Sequence, residues 1–321
     1  MSDVTAVLSA ADLAAARALV GQHLAPTPAL RWPLLEQATG VATWVKHENH
    51  LATGAFKVRG GLNFVARSLA EGPVAGLVSA SRGNHSQSLA FAGRTFGVPV
   101  TIVVPEGNSP DKNAATAALG AEVVVHGADF QEAVEHSVGL AAERGLTPVP
   151  SFHPWLVEGV ASYAAELHEA VADLDVVYVP VGMGSGACAN VWVRDLLGLA
   201  TEVVGVVAEQ APAYALSVAA GEVVTTPSAD TFVDGVACRT PHPEAVAILR
   251  AGLARVVQVS ETQAAEAMAL AYRATHNLPE PAGSLALAGL MAERDRVAGK
   301  RVAVVHTGGN ADFSVLSRAL G

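Results

Sequence analysis

Val176-Val177-Tyr178-Val179-Pro180-Val181-Gly182-Met183-Gly184-Ser185-Gly186 is an apolar run of strand length that ends in a glycine-rich loop, and a helix-like stretch, Ala187 to Leu197, follows it. Val176 to Val193 carries no charge over 18 residues, which raises the question of a membrane span. Pro180, Gly182, Gly184, Ser185, Gly186 and Asn190 interrupt it, so a buried strand, a glycine loop and a helix start fit far better. Working outward, valine-rich runs of the same length recur at Val74 to Ala80, Val100 to Val104, Glu122 to His126, Val203 to Ala208 and Arg301 to His306, bounded by Gly or Pro. The longer stretches Ser86 to Phe96, Asp111 to Leu119, Phe130 to Arg144 and Glu158 to Ala172 have the alanine content of crossover helices. Buried strands joined through helices predict an α/β fold with a doubly wound parallel sheet.

Two helix starts are marked by capping sequences: Ser9-Ala10-Ala11-Asp12 before the run Leu13 to Leu24, and Ser260-Glu261-Thr262-Gln263 before Ala264 to His276. The chain of 321 residues exceeds the usual size of one core, so two lobes are expected, with crossings near Ala70 to Gly76 and Pro148 to Pro154. A formal charge of −10 without any Lys/Arg cluster argues against nucleic acid or an anionic membrane as partner and leaves a small molecule. Cys188 and Cys238 stand 50 positions apart, which supports neither a disulfide framework nor a zinc site and predicts buried, inert thiols. Met1 to Val7 shows no basic segment leading into an apolar one, so a cytoplasmic location is the expectation.

Parallel sheets bind ligands where their strands end, which directs attention to three loops. In Gly182 to Gly186 successive amides can converge on a phosphate at a helix start. A dinucleotide fingerprint would need a third glycine where Cys188 or Asn190 stands, and there is no Walker lysine, so a phosphate monoester is the more economical ligand. Ser81-Arg82-Gly83-Asn84-His85-Ser86-Gln87 follows the run ending at Ala80; it reads either as an ordinary capping turn or as a holder for a carboxylate or phenolic oxygen. His306-Thr307-Gly308-Gly309-Asn310 follows the last strand and offers an uncharged hydroxyl, or is a plain structural turn. A fourth segment, Gly54-Ala55-Phe56-Lys57-Val58-Arg59-Gly60-Gly61, sets one lysine between apolar neighbours and glycines. An ammonium taken out of water has its pKa lowered, and such an amine is nucleophilic enough to form a Schiff base with an aldehyde.

Taken together, these segments resemble the fold-type II pyridoxal-phosphate enzymes, specifically the threonine/serine dehydratase and serine racemase family. The resemblance runs from Pro26-Thr27-Pro28 to Thr307-Gly308-Gly309-Asn310, with the motifs in the family's order. It implies a two-domain fold like that of tryptophan synthase β, with parallel twisted sheets flanked by helices. The large cofactor-binding domain would comprise 1–75 and 150–321, the small domain 76–149, and the active site would lie in the cleft between them. It implies pyridoxal 5′-phosphate as cofactor, Lys57 as Schiff-base lysine and catalytic base, Phe56 beside the ring and Asn84 facing the ring hydroxyl. Gly182, Met183, Gly184, Ser185 and Gly186 would cradle the phosphate, and Thr307 would meet the pyridine nitrogen. Gly235 in Asp234-Gly235-Val236-Ala237 and Glu280 in Glu280-Pro281-Ala282-Gly283 match positions near the ring. Ser81, Arg82, Gly83, Asn84 and His85 would hold the substrate carboxylate.

The activity so implied is β-elimination from a 3-hydroxy-L-amino acid (threonine, serine, or a bulkier analogue such as 3-hydroxyaspartate or phenylserine) to a 2-oxo acid and ammonia, by a homodimer. A neutral partner such as Thr307 makes the ring a weaker electron sink, which suits a lyase. Where serine racemases carry a second serine in this loop the chain has Arg82, which puts racemisation in doubt; Arg82 reads either as an anion partner or as a solvent-facing side chain. A β-replacement synthase is the nearest rival, although its lysine is usually followed by an Asp-Arg pair that this chain lacks. A catalytically silent amino-acid or cofactor-binding protein would need a lost lysine or a broken phosphate loop. The family's divalent-cation site is incomplete: Glu209 is present, but Ala215 stands where a second carboxylate belongs, so no Mg²⁺ dependence of that kind is expected. His85, His126 and His153 are expected to be structural. Only eleven residues follow Asn310, so no carboxy-terminal regulatory domain is expected, which suits a catabolic role.

Overall fold

The computed structural model describes residues 8–320, so the reading of Met1 to Val7 lies outside the described residues. Its strands are Ala29–Arg31 (β1), Ala42–His47 (β2), Leu77–Ala80 (β3), Val100–Val104 (β4), Glu122–Val125 (β5), Thr147–Pro148 (β6), Val176–Pro180 (β7), Glu202–Ala208 (β8), Arg255–Val259 (β9) and Arg301–His306 (β10). They form two sheets: six strands in the order β1-β2-β10-β7-β8-β9, and four in the order β5-β4-β3-β6. Every pairing is parallel except β1 with β2, so the doubly wound reading holds with one antiparallel edge. The valine runs of β7 and β8 sit inside the six-stranded sheet with both faces covered, Val176, Val177, Val179, Val203, Val204, Val206 and Val207 being fully buried, whereas β5 lies at the edge of the four-stranded sheet and stays partly exposed.

Helices cover the sheets as the alanine-rich stretches predict, with shifted ends. The helix expected from Glu158 starts at Pro154, because His153 caps it by accepting the Trp155 amide and Pro154 occupies the first turn. Both capping boxes form, at Ser9 with Asp12 and at Ser260 with Gln263. No helix among the described residues is long and apolar enough to cross a membrane. Val176 to Val193 instead divides into β7, the glycine loop and the helix Ser185–Leu196. Cys188 and Cys238 are free and buried, and burial pushes the Cys238 thiol up to about 11 and the Cys188 thiol higher still.

Candidate active site

A cavity of about 390 Å³, its opening to solvent included, collects segments that are far apart in the chain. Asn84 enters from the loop after β3, Gly182 to Gly186 from the loop after β7, and Thr307 from the loop after β10. These are strand carboxyl ends, where a parallel sheet leaves loops and helix starts free to meet a ligand. Phe56, Lys57, Gly235 and Glu280 complete the predicted lining, and Pro180, Val236 and Ala282 add to it.

Lys57 opens the helix Lys57–Glu71, and backbone bonds fasten its approach to the loop after β10. The Phe56 amide donates to the Thr307 carbonyl (3.0 Å), and the Gly309 amide donates to the Gly54 carbonyl (2.9 Å). Gly54 needs to be glycine twice over: its φ is +67°, and a Cβ there would stand 2.5 Å from Asn310 Oδ1. Ser88 Oγ donates to the Lys57 carbonyl (2.5 Å) from the helix Asn84–Phe96. Two residues past Lys57, Arg59 is buried in a network with Glu48 and Glu166, at 2.7 and 2.6 Å, which Lys46 joins through Glu166 at 2.6 Å. The base of the lysine's helix is thereby tied to β2 and to the helix Pro154–Ala170.

The electrostatics of the cavity are set by desolvation. Burial lowers the Lys57 amine to about 8, against the pull of the Glu280 carboxylate. Its Nζ lies 5.1 Å from the centre of the Phe56 ring. Glu280 precedes the helix Pro281–Ala292 and accepts from Asn84 Nδ2 (2.7 Å), whose Oδ1 accepts in turn from Asn310 Nδ2 (2.8 Å). Burial and the Asp234 carboxylate push Glu280 up to about 7, with Lys112, Asn84 and Lys57 opposing. The cavity thus holds a buried amine and a buried carboxyl whose proton affinities have been drawn close together around neutral pH.

Across the cavity the helix Ser185–Leu196 points its amino terminus inward, and its first amides have no acceptor within the helix. Gly184 makes the turn with φ +95°, and a Cβ on Gly182 would stand 2.5 Å from the Gly235 carbonyl oxygen. Tyr214 braces the loop from behind by donating to the Met183 carbonyl (2.8 Å). Bare amides, the helix dipole and no intruding side chain make a cradle for one phosphate group, with an amine of lowered pKa in the same cavity. The residues therefore fit pyridoxal phosphate, whose two ends need those two features.

The carboxylate loop is only partly in the lining. Asn84 lines the cavity; Ser81 is buried, with its Oγ accepting the Ser86 amide (3.1 Å). Gly83 and His85 flank Asn84, and burial together with the Lys57 ammonium drives the His85 ring down to about 3, so it is neutral. The Arg82 side chain is exposed, 5.5 Å over the Phe130 ring, and is not among the lining residues. Of the other histidines, His153 caps a helix and His126 stacks on His136 at 3.8 Å. Glu209 is exposed after β8, and among the described residues no three His, Cys, Asp or Glu side chains cluster as metal ligands.

Ser88, Pro180, Val236, Ala282 and the Arg59 network escaped the sequence reading. Ser88 had a usable signal, since it stands four residues after Asn84 on one helix and so shares its face. The ion network had none, because its members are scattered from Lys46 to Glu166.

A family model described as "Pyridoxal-phosphate dependent enzyme" matches residues 20–308. The chain is 32% identical over 289 residues to the L-threonine ammonia-lyase of Thermotoga maritima, a match covering 89% of this chain and 72% of the relative. It is 29% identical over 295 residues to the L-threo-3-hydroxyaspartate ammonia-lyase of Saccharomyces cerevisiae, covering 92% and 90% of the two chains. Among solved structures, the processed form of threonine deaminase isoform 2 from Solanum lycopersicum superposes with a TM-score of 0.91 at 28% identity, covering 96% of this chain and 90% of that one.

Proposed function

The chain belongs to the pyridoxal-phosphate-dependent enzyme family, and from that premise we propose that it is an ammonia-lyase that converts a 3-hydroxy-L-amino acid to a 2-oxo acid and ammonia by β-elimination. The observation that carries the reading is the placement of Lys57, an amine lowered to about 8, in one cavity with the open helix terminus at Gly184 to Gly186. When bound, pyridoxal phosphate supplies an electron-withdrawing ring that acidifies the substrate's α-C–H bond and accepts the electron pair left behind. Gly182, Met183, Gly184, Ser185 and Gly186 would hold its phosphate through backbone amides, and Phe56, Gly235 and Glu280 would wall the ring. Asn84 would serve the ring hydroxyl, and Thr307 would offer an uncharged hydroxyl to the ring nitrogen. Within Ser81 to His85 the Ser81 and Gly83 amides already donate to the Val103 carbonyl and to Ser81 Oγ, so those of Arg82, Asn84 and His85 would meet the substrate carboxylate.

Lys57 performs the proton chemistry. A pKa lowered to about 8 favours the unprotonated amine that this step needs, and Lys57 takes the α-proton. The β-hydroxyl leaves with a proton as water, and the released enamine tautomerises and takes up one water to give the 2-oxo acid and ammonia. The Asn84–Glu280 bond keeps the carboxyl of Glu280 in the cavity beside the amine, where it stores a proton below about pH 7.

The same reading divides the chain into a large unit, 1–75 and 150–321, and a small one, 76–149, with the cavity in the cleft between them. The membership of β3 to β6 in a separate sheet supports that division. A homodimer in the cytoplasm is the form the reading implies. The test is release of 2-oxo acid from threonine, serine, 3-hydroxyaspartate and phenylserine by cofactor-loaded protein. At least one must be turned over, and Lys57→Ala must abolish turnover together with the visible absorbance of the lysine-bound cofactor. Absence of that chromophore from the wild-type protein, or of 2-oxo acid from all four, overturns the proposal.

A further inference from the structure

At the rim of the cavity the two sheets are joined by an ion pair that the chemistry above does not use. Lys112, on the helix Pro110–Ala118 beside the four-stranded sheet, pairs with Asp234, which immediately precedes the lining residue Gly235. The lysine stem runs along the carboxylate loop, its Cδ standing 3.2 Å from where a Cβ on Gly83 would be. Its side chain is 11% exposed and that of Asp234 43%, so the ammonium has exchanged most of its water for this partner. Two more carboxylates act on it: Glu280 from within the cavity, and Asp312, which also accepts from Ser109 Oγ (2.6 Å) at the start of the same helix. The rim therefore carries two carboxylates, Asp234 and Asp312, to the one buried cation Lys112, while inside the cavity Glu280 faces Lys57. The other cation of the carboxylate loop, Arg82, is turned onto Phe130 outside the lining.

We propose that Lys112 and Asp234 form a charge-closed clasp that makes the site selective for substrates with uncharged side chains. This deepens the ammonia-lyase reading and rests on it. The substrate's α-carboxylate is served by loop amides, so it needs no side-chain cation. A second carboxylate on the substrate side chain would find Lys112 already neutralised and would face Asp234, Asp312 and, when ionised, Glu280. Like charges gathered around one side chain disfavour binding, and selection against that class follows from repulsion. Threonine, serine and phenylserine carry no such group, and 3-hydroxyaspartate does.

With cofactor-loaded wild-type protein, kcat/KM for L-threonine or L-serine should exceed that for L-threo-3-hydroxyaspartate by about tenfold or more, roughly the effect of one uncompensated charge contact near a protein surface. Asp234→Asn releases Lys112 from its carboxylate and should narrow the ratio about tenfold; adding Lys112→Met to it should remove the gain. Calorimetric binding of succinate relative to butyrate should tighten in Asp234→Asn and not in the double variant, a readout independent of turnover. Asp234→Ser replaces Asp234→Asn if the latter fails to fold, and the wild-type ratio needs no variant. Preferential turnover of 3-hydroxyaspartate by the wild-type enzyme overturns the clasp. So does an unchanged ratio in a folded, cofactor-bearing Asp234 variant. If no 3-hydroxy amino acid yields a 2-oxo acid, the ammonia-lyase reading fails instead, and the succinate comparison still decides the clasp.

Discussion

Replacing Glu280 with glutamine isolates the electrostatic cost of the cavity. In the folded protein the carboxyl is pushed from 4.5 up to about 7, first by burial and next by Asp234. At about 1.4 kcal/mol for each tenfold change in proton affinity, that rise corresponds to about 3 kcal/mol. Because the folded state holds the proton to higher pH than the unfolded chain, the stability linked to it is complete below about pH 4.5 and is lost as the pH rises through 7. Glutamine has nearly the same shape and can still accept from Asn84 Nδ2, so packing changes little while the titration disappears. Glu280→Gln should therefore match the wild-type protein near pH 4.5 and exceed it by up to about 3 kcal/mol at pH 8. Urea unfolding of cofactor-stripped protein at a series of pH values measures the difference. A difference that stays constant between pH 4.5 and 8 would refute the claim that a buried, proton-holding carboxyl sits beside Lys57. The same substitution removes the charge that supports the Lys57 ammonium, so titration of that amine in the cofactor-stripped protein should move to lower pH.

The remaining predictions address other parts of the site. In cofactor-stripped protein, the rate at which added pyridoxal phosphate acquires the visible absorbance of the lysine-bound cofactor should rise with pH through about 8 as Lys57 loses its proton, and a rate flat from pH 6 to 9 would refute the lowered amine. Gly182→Ala places a methyl group 2.5 Å from the Gly235 carbonyl oxygen, so the cofactor dissociation constant should rise by about tenfold or more, measured by absorbance titration, while the fold persists. Arg59→Met takes the guanidinium from Glu48 and leaves two interior carboxylates to the single cation Lys46, which should cost about 3–5 kcal/mol in urea unfolding. A cost below 1 kcal/mol would show that the network carries little of the lysine's support.

The loops of the site were legible because strand-end position and residue type together restrict what they can do. Gly182 to Gly186 follows a buried valine run and opens a helix, which is enough to predict an anion cradle from backbone amides alone. Lys57, Asn84, Glu280 and Thr307 were legible as a set only through the family resemblance, since nothing local ties Glu280 to Asn84 across 196 positions. Arg82 shows the limit in the other direction: its place in the carboxylate loop left an anion partner and a solvent-facing side chain both open, and only the fold turns it outward over Phe130. β1, β2, β6 and β9 were missed for a related reason. β1 and β6 span only three and two residues, Ala42–His47 places Thr, Lys and His in a strand, and Arg255–Val259 carries Arg and Gln, so none has the apolar run by which the other strands declare themselves.

Taken alone, the amino-acid sequence determined the α/β class, the positions of the three strand-end loops and the identity of the one lysine set among glycines, because periodicity, capping and backbone freedom are local properties. Tertiary structure decided the rest. Burial lowers Lys57 to about 8 and raises Glu280 to about 7, shifts that arise only when distant segments exclude water from the same space. It also decided that Arg59 is locked into a buried ion network and that Lys112 meets Asp234 across the two sheets. Charge interactions depend on distance and solvent access, and neither quantity is written along the chain.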